Sequence, residues 1–321
     1  MREILTVTLN PTLDVSASTP LVAPHLKLRC ADERLDPGGG GINVSRAVAR
    51  LGGASTAFAA LAGVTGDLAA AMLEGEGIGV ARFAGPGLTR QSFAVTEAQS
   101  GQQYRFVMAG PQWSEGDVAA MLDALGQAIS ADAMVVLSGS LPPGVAPEVQ
   151  GRIGALARAQ GGRFLLDTSG PALSAAAAGM PGGPVDVLRM DRAEAEELAG
   201  RSFDTPEALA LFGRVLLRAG VADHLVMALG AEGNVGVWAE GAVHCRPPVV
   251  KVVSAVGAGD SLMGALTLAL AQGESLADAV RLGTAAAAAA VTTPATELFD
   301  GATARRLAAE VTVTPLDLPP L

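Results

Sequence analysis

Ala255-Val256-Gly257-Ala258-Gly259-Asp260-Ser261-Leu262-Met263-Gly264-Ala265-Leu266 is the stretch on which the reading of this chain turns. Two glycines and a small residue lead straight into a carboxylate, and an apolar run of helical character follows. That order reads as a loop opening into a helix N-terminus. Glycine lets backbone N–H groups approach an anion closely, and the helix dipole favours negative charge at that end. Asp260 then stands at the rim of an anion site. A carboxylate beside a nest of N–H donors suits phosphoryl transfer to an alcohol, which needs a base for the hydroxyl and donors for developing charge. The same residues also read as a Gly-rich turn with Asp as a helix cap. The rest of the chain decides between the two.

Outward from that stretch, β-like and α-like runs alternate. Strands are expected over residues 4–9, 56–62, 134–138, 163–167, 185–189 and 224–228. They are short, apolar and bounded by Gly, Pro or Asp, as buried parallel strands are. Helices are expected over residues 43–51, 68–76, 115–129, 147–160, 192–199 and 206–218, with two more near 260–272 and 276–290. The alternation predicts an α/β fold, a doubly wound, mainly parallel sheet sandwiched by helices. No linker divides the chain, so residues 1–321 are expected to form one domain. Two segments, 15–34 and 90–108, have strand character with no helix between. Gln91-Ser92-Phe93-Ala94-Val95-Thr96 and Gln103-Tyr104-Arg105-Phe106-Val107 flank a Ser100-Gly101 turn, a hairpin pattern. These insertions, about 12–35 and 88–110, are expected to form a small β-sheet lid. Residues 314–321 are expected to be an ordered or frayed tail.

Composition bounds the partners. Half of the 321 residues are hydrophobic but only 3% are aromatic, so the core must be aliphatic and alanine-rich. The net charge of −10 argues against nucleic acid and anionic membranes as partners. A small anionic substrate remains compatible with it, held by local basic residues. Cys30 and Cys245 lie in no CxxC pair, which excludes the common zinc and redox motifs. The N-terminus reads as a strand rather than a signal peptide, and no apolar run reaches spanning length. A reduced, cytoplasmic protein is expected. Lys27 and Lys251 are the only lysines in an arginine-rich chain.

Asp36-Pro37-Gly38-Gly39-Gly40-Gly41-Ile42-Asn43 is the second strong signal. Four consecutive glycines are entropically costly unless the backbone must come close to something. The run reads as a ligand cradle before a helix, or as a flexible hinge. The chain has no Walker A loop and no Gly-x-Gly-x-x-Gly fingerprint.

Together the two glycine motifs resemble those of the ribokinase-like sugar kinases, and most of all their minor ATP-dependent 6-phosphofructokinase group. The resemblance runs essentially end to end. It includes Thr6-Val7-Thr8-Leu9-Asn10-Pro11-Thr12-Leu13-Asp14, Lys27-Leu28-Arg29-Cys30, Thr89-Arg90-Gln91, Gln103-Tyr104-Arg105-Phe106-Val107-Met108 and Ser138-Gly139-Ser140-Leu141-Pro142-Pro143-Gly144. It implies transfer of the ATP γ-phosphate to the 1-hydroxyl of fructose 6-phosphate, giving fructose 1,6-bisphosphate. Asp260 is implied as the base, and Gly257, Ala258 and Gly259 as the anion hole. Asp14 and Asn43 are implied to hold sugar hydroxyls, with Gly39 close to the sugar. Arg90 is implied to grip the substrate phosphate with help from Ser140. Lys27, on the lid, is implied to add charge near the phosphates, from a partner subunit if lids pair into a homodimer. ATP, Mg²⁺ and a monovalent cation near Ser254 and Val256 are the implied cofactors. Fructose-1-phosphate kinases look similar but typically carry a lysine in the glycine run, absent here. Tagatose 6-phosphate and fructose 1-phosphate are the alternative acceptors.

The nucleotide side departs from the pattern. Relatives usually carry Lys-x-Asn-x-x-Glu after the strand over 185–188, which meets phosphates and magnesium. This chain has Arg189-Met190-Asp191-Arg192-Ala193-Glu194. Glu194 is implied to serve the Mg²⁺, with Asp191 taking it directly, through water, or else repelling the triphosphate. Ala228 and Ala255 stand where relatives carry hydroxyls, each loss worth about 0.5–1.5 kcal/mol of binding. Gly230-Ala231-Glu232-Gly233 survives and is implied to border the nucleotide, Gly230 and Gly233 included. These departures leave open a non-catalytic sugar-phosphate sensor.

Overall fold

A computed structural model describes residues 1–294 and 297–318. The chain starts with β1 (Ile4–Thr8), leaves for β2 (Thr12–Thr19) and β3 (Ala31–Gly38), and returns through α1 (Gly40–Arg50), β4 (Thr56–Ala60), α2 (Gly63–Gly75) and β5 (Gly79–Phe83). It departs again for β6 (Arg90–Glu97) and β7 (Gln103–Val107), followed by α3 (Glu115–Ala128). Then come β8 (Met134–Ser138), α4 (Val149–Ala159), β9 (Arg163–Asp167), α5 (Gly170–Ala177), β10 (Val185–Asp191), α6 (Arg192–Ala199), α7 (Pro206–Arg218) and β11 (Ala222–Ala228). The chain closes with β12 (Asn234–Trp238), β13 (Gly241–Arg246), α8 (Ala258–Ala271), α9 (Leu276–Ala290), α10 (Gly301–Glu310) and β14 (Thr312–Pro315).

The large sheet has the order β14-β13-β12-β11-β10-β9-β8-β1-β4-β5. From β11 to β5 its strands are parallel, and β12, β13 and β14 extend it antiparallel. Both faces are buried because strand side chains alternate between them. On β8, Val135 and Leu137 join the core under α3 and α4, while Met134 and Val136 join the core under α1, α8 and α9. Helices α3–α7 therefore cover one face, and α1 with α8–α10 cover the other. Strand order reverses at the β8–β1 pair, so the crevice past the carboxyl ends of these strands is the place for a ligand in a sheet of this kind.

β2, β3, β6 and β7 form a second sheet in the order β3-β2-β6-β7. The β6–β7 hairpin forms as its alternation predicts, pairing Phe93 with Phe106. The first inserted segment differs from the expected 12–35 at one end, since β3 runs on to Gly38. The glycine run is correspondingly not a loop. Gly38 ends β3, Gly39 is the N-cap of α1 with φ of 116°, and Gly40 and Gly41 already belong to that helix. What the backbone approaches is its own chain. A Cβ on Gly38 would strike the Asp14 carboxylate, one on Gly40 would strike Ser138 Oγ, and one on Gly41 would lie 2.5 Å from Val7 O. Residues 319–321 of the expected tail lie outside the described residues, while β14 pairs with β13.

Candidate active site

Asp260 is the third residue of α8, and Gly257 is its N-cap with a left-handed φ of 80°. No side chain caps this helix end. An uncapped helix N-terminus is the kind of place where an anion binds. Asp260 also contacts α1. The two helices pack closely where a Cβ on Gly264 would lie 2.5 Å from Ala47 Cβ. That approach brings Asn43 alongside, and Asn43 Nδ2 donates to Asp260 Oδ2 at 2.9 Å. Desolvation pushes the Asp260 carboxyl from its ordinary 3.8 up to about 7, and the Asp167 charge adds to the rise. Asn43 and Arg189 oppose it. A carboxylate with an affinity for protons near neutrality is suited to general-base work.

A cavity of about 50 Å³ opens beside Asn43 and Gly257, walled on the second sheet by Asp14, Ser92 and Arg105. Glu297 and Leu298 border it from the loop after α9. Asp14 is held above its ordinary acidity range by burial, against the pull of Thr12, Arg90 and Arg105. Arg90 opens β6. Its Nε and Nη2 donate to Asn10 O at 3.3 and 3.1 Å, and Nη1 to Met108 O at 2.7 Å. Ser140 is exposed just past the end of β8. Gly39 sits against Thr8 and Pro11. Lys27 is exposed in the β2–β3 connection and does not line the cavity.

At the next strand ends, Arg189 Nη1 donates to Asp167 Oδ1 at 3.2 Å. Its guanidinium lies 3.1–3.3 Å from where a Cβ on Gly259 would be, so it packs on the α8 loop itself. Asp167, Glu194 and Asp191 all raise its proton affinity against the effect of burial, and its Nε is buried without a partner. Asp191 and Glu194 form a reciprocal capping box on α6. Asp191 Oδ1 accepts from Glu194 N at 2.9 Å, and Glu194 Oε2 accepts from Asp191 N at 2.7 Å. Aspartate here does the capping work that an asparagine would do. The capping box engages one oxygen of each carboxylate, and among the described residues the other is free for a ligand. Among the described residues no cluster of three or more His, Cys, Asp or Glu side chains could hold a metal alone. Two spare carboxylate oxygens fit Mg²⁺, which takes its remaining ligands from phosphates and water. Gly230 and Gly233 both have positive φ, and a Cβ on Gly233 would strike Cys245 O. Arg192 bridges to Glu232 at 2.7 Å, joining α6 to that turn.

Residues 8–300 match the pfkB family carbohydrate kinases. The chain belongs to that family. It is 41% identical over 298 residues to the ATP-dependent 6-phosphofructokinase isozyme 2 of Escherichia coli strain K12, covering 93% of this chain and 95% of that one. The solved structure of phosphofructokinase-2 from Escherichia coli in complex with potassium superposes with a TM-score of 0.90 at 39% identity, over 97% of this chain and 99% of that one. The structure of phosphofructokinase-2 from Escherichia coli in complex with fructose-6-phosphate gives 0.88 at 38% identity, with the same coverage. As a pfkB-family kinase the chain has the ribokinase-like fold and is an ATP-dependent sugar kinase. Of the residues that sequence reasoning named, Asn43, Asp14 and Gly257 line one cavity, and Asp260 is hydrogen-bonded to Asn43 at its edge. It assigned no role to Arg105, Asp167 or Glu297. The signal for Arg105 was the two-residue alternation of β7, which puts it on one face with Val107.

Proposed function

We propose that this protein transfers the γ-phosphate of ATP to the 1-hydroxyl of fructose 6-phosphate, forming fructose 1,6-bisphosphate. The observation that carries the reading is Asp260 at the uncapped start of α8, hydrogen-bonded by Asn43, which with Gly257 and Asp14 lines the cavity. Asp260 takes the proton of the attacking hydroxyl. The N–H groups of Gly257, Ala258 and Gly259 and the Arg189 guanidinium receive the charge that develops on the transferred group. Asp14, Asn43 and Gly39 orient the sugar, and Arg90 and Ser140 hold its phosphate as charge-assisted donors. Glu194 and Asp191 hold the Mg²⁺, which when bound neutralises the triphosphate. Gly230 and Gly233 border the nucleotide. The capping box supports this active reading over the sensor, because Asp191 is absorbed into the start of α6.

The second sheet serves as a lid within a single domain. Phe93 and Phe106, paired across β6 and β7, are exposed on it, an apolar patch that suits pairing with a second copy. Lid pairing into a homodimer brings Lys27 toward the partner's phosphates. A monovalent cation beside Ser254 and Val256 accompanies this reading. Both cysteines are free, in keeping with a reduced, cytoplasmic location. Among the described residues no helix is long and apolar enough to cross a membrane. Comparing kcat/KM for fructose 6-phosphate, tagatose 6-phosphate and fructose 1-phosphate tests the acceptor. Fructose 6-phosphate should lead, and a preference for fructose 1-phosphate would overturn the assignment.

A further inference from the structure

Asn10 lies two residues past the end of the central strand β1 and is 7% exposed. We propose that Asn10 is a positioning residue that locks Arg90 and Ser140 into a single phosphate-gripping geometry. This rests on the reading that those two side chains take the phosphate of the sugar substrate.

The main chain and the side chain of Asn10 divide the task. Its carbonyl accepts from both Nε and Nη2 of Arg90, at 3.3 and 3.1 Å. Met108 O accepts from Nη1 at 2.7 Å. Three of the five guanidinium N–H donors are thus spent on backbone, leaving one on each Nη to meet an anion as a fork. The Asn10 amide fixes the second carbonyl of that holder. Its Nδ2 donates to Ala109 O at 3.0 Å, tethering the segment that carries Met108 O. Gly110 has φ of 95°, and a Cβ on it would strike Asn10 Oδ1, so this segment wraps the amide closely.

The same Nδ2 donates to Ser140 Oγ at 3.3 Å. With its oxygen occupied as an acceptor, the exposed Ser140 keeps its own hydrogen to donate outward. The amide orientation is determined, because a flipped Asn10 would set its oxygen against Ala109 O. Asn10 Oδ1 is meanwhile buried with no partner. A buried orphan acceptor weakens a fold, so packing alone would favour an apolar side chain here. The two donors are what asparagine supplies.

The test uses Asn10→Leu, Arg90→Ala, Ser140→Ala and the Asn10→Leu/Ser140→Ala pair in the full-length protein. Steady-state kinetics would be joined by calorimetry of fructose 6-phosphate binding without nucleotide. For Asn10→Leu we expect KM for fructose 6-phosphate and its calorimetric Kd to rise about 10-fold, the worth of one to two hydrogen bonds. Changes in kcat and in KM for ATP should stay under about 3-fold. In the Ser140→Ala background the same change should raise KM by under about 3-fold, since one of its two targets is gone. Unchanged sugar-phosphate binding in Asn10→Leu, equal losses for ATP, or full additivity with Ser140→Ala would each overturn the proposal. If Arg90→Ala weakens sugar-phosphate binding and Asn10→Leu does not, the Asn10 assignment alone fails. If Arg90→Ala has no effect, the parent reading fails and takes this one with it. Should Asn10→Leu not fold, Asn10→Ala is read by the same criteria.

Discussion

Replacing Asp260 by asparagine should abolish most turnover and yet make the protein more stable at alkaline pH. Burial holds the folded carboxyl at about 7 against an ordinary value of 3.8. The native state therefore binds a proton that the unfolded chain has released, and stability falls as pH rises from about 4 to 7. Above pH 7 the ionised carboxylate is present in both states and the whole penalty is felt. A rise of about three pH units, at 1.36 kcal/mol each, makes that penalty about 4 kcal/mol. The substituted amide would carry no charge and could still accept from Asn43. Urea unfolding of the wild type and Asp260→Asn at pH 8 and pH 5 reads the difference. The variant should gain about 4 kcal/mol at pH 8 but only about 1–2 kcal/mol at pH 5, where most of the penalty has lifted. In a thermal scan at pH 8 the gain would be roughly 5–10 °C. Equal stabilisation at the two pH values, or none at pH 8, would refute the claim that this carboxyl is desolvated in the folded state.

Other perturbations test the neighbouring parts. The acid limb of kcat/KM should fall about tenfold per pH unit below about pH 7, and Asn43→Ala, which removes a bond that favours the ionised form, should move that limb to higher pH. Gly38→Ala should raise KM for the sugar phosphate about tenfold or more, because the new methyl displaces the Asp14 carboxylate, while KM for ATP stays constant. Arg46→Met should cost about 3–5 kcal/mol in denaturant unfolding, since Arg46 is 2% exposed and its removal takes a buried cation away from Asp36 and Glu76 beside the start of α1. Chelation of Mg²⁺ with EDTA should stop ADP release and restoration of Mg²⁺ should recover it; turnover that survives chelation would remove Glu194 and Asp191 from the account.

The central parallel strands were legible because each is a short apolar run buried on both faces, and the strands at 134–138 and 163–167 match their expected bounds residue for residue. The sheet margins were not. β5 carries Arg82 and is half-buried, and β14 is exposed, so neither has a core pattern to read. The α1 start was misjudged because glycine weakens helix propensity, whereas here the absence of Cβ is what lets that turn lie against Ser138 and Val7. At the site, the Gly257–Asp260 loop was local and readable. The Asp167–Arg189 pair and the Arg105 wall come from strands far apart in the chain, whose meeting depends on sheet order and on the second sheet. Asp191 had looked like an electrostatic conflict, and the capping box with Glu194 shows a local role that the sequence spacing already contained.

Coupled ADP release with fructose 6-phosphate and ATP–Mg²⁺, comparing the wild type with Asp260→Asn, tests the central claim most directly. The wild type should turn over, and the variant should lose roughly 10²–10⁴ in kcat, the usual worth of a positioned base, while binding of fructose 6-phosphate by calorimetry persists. A variant with near-normal kcat, or a wild type that binds the sugar phosphate without releasing ADP, would contradict it.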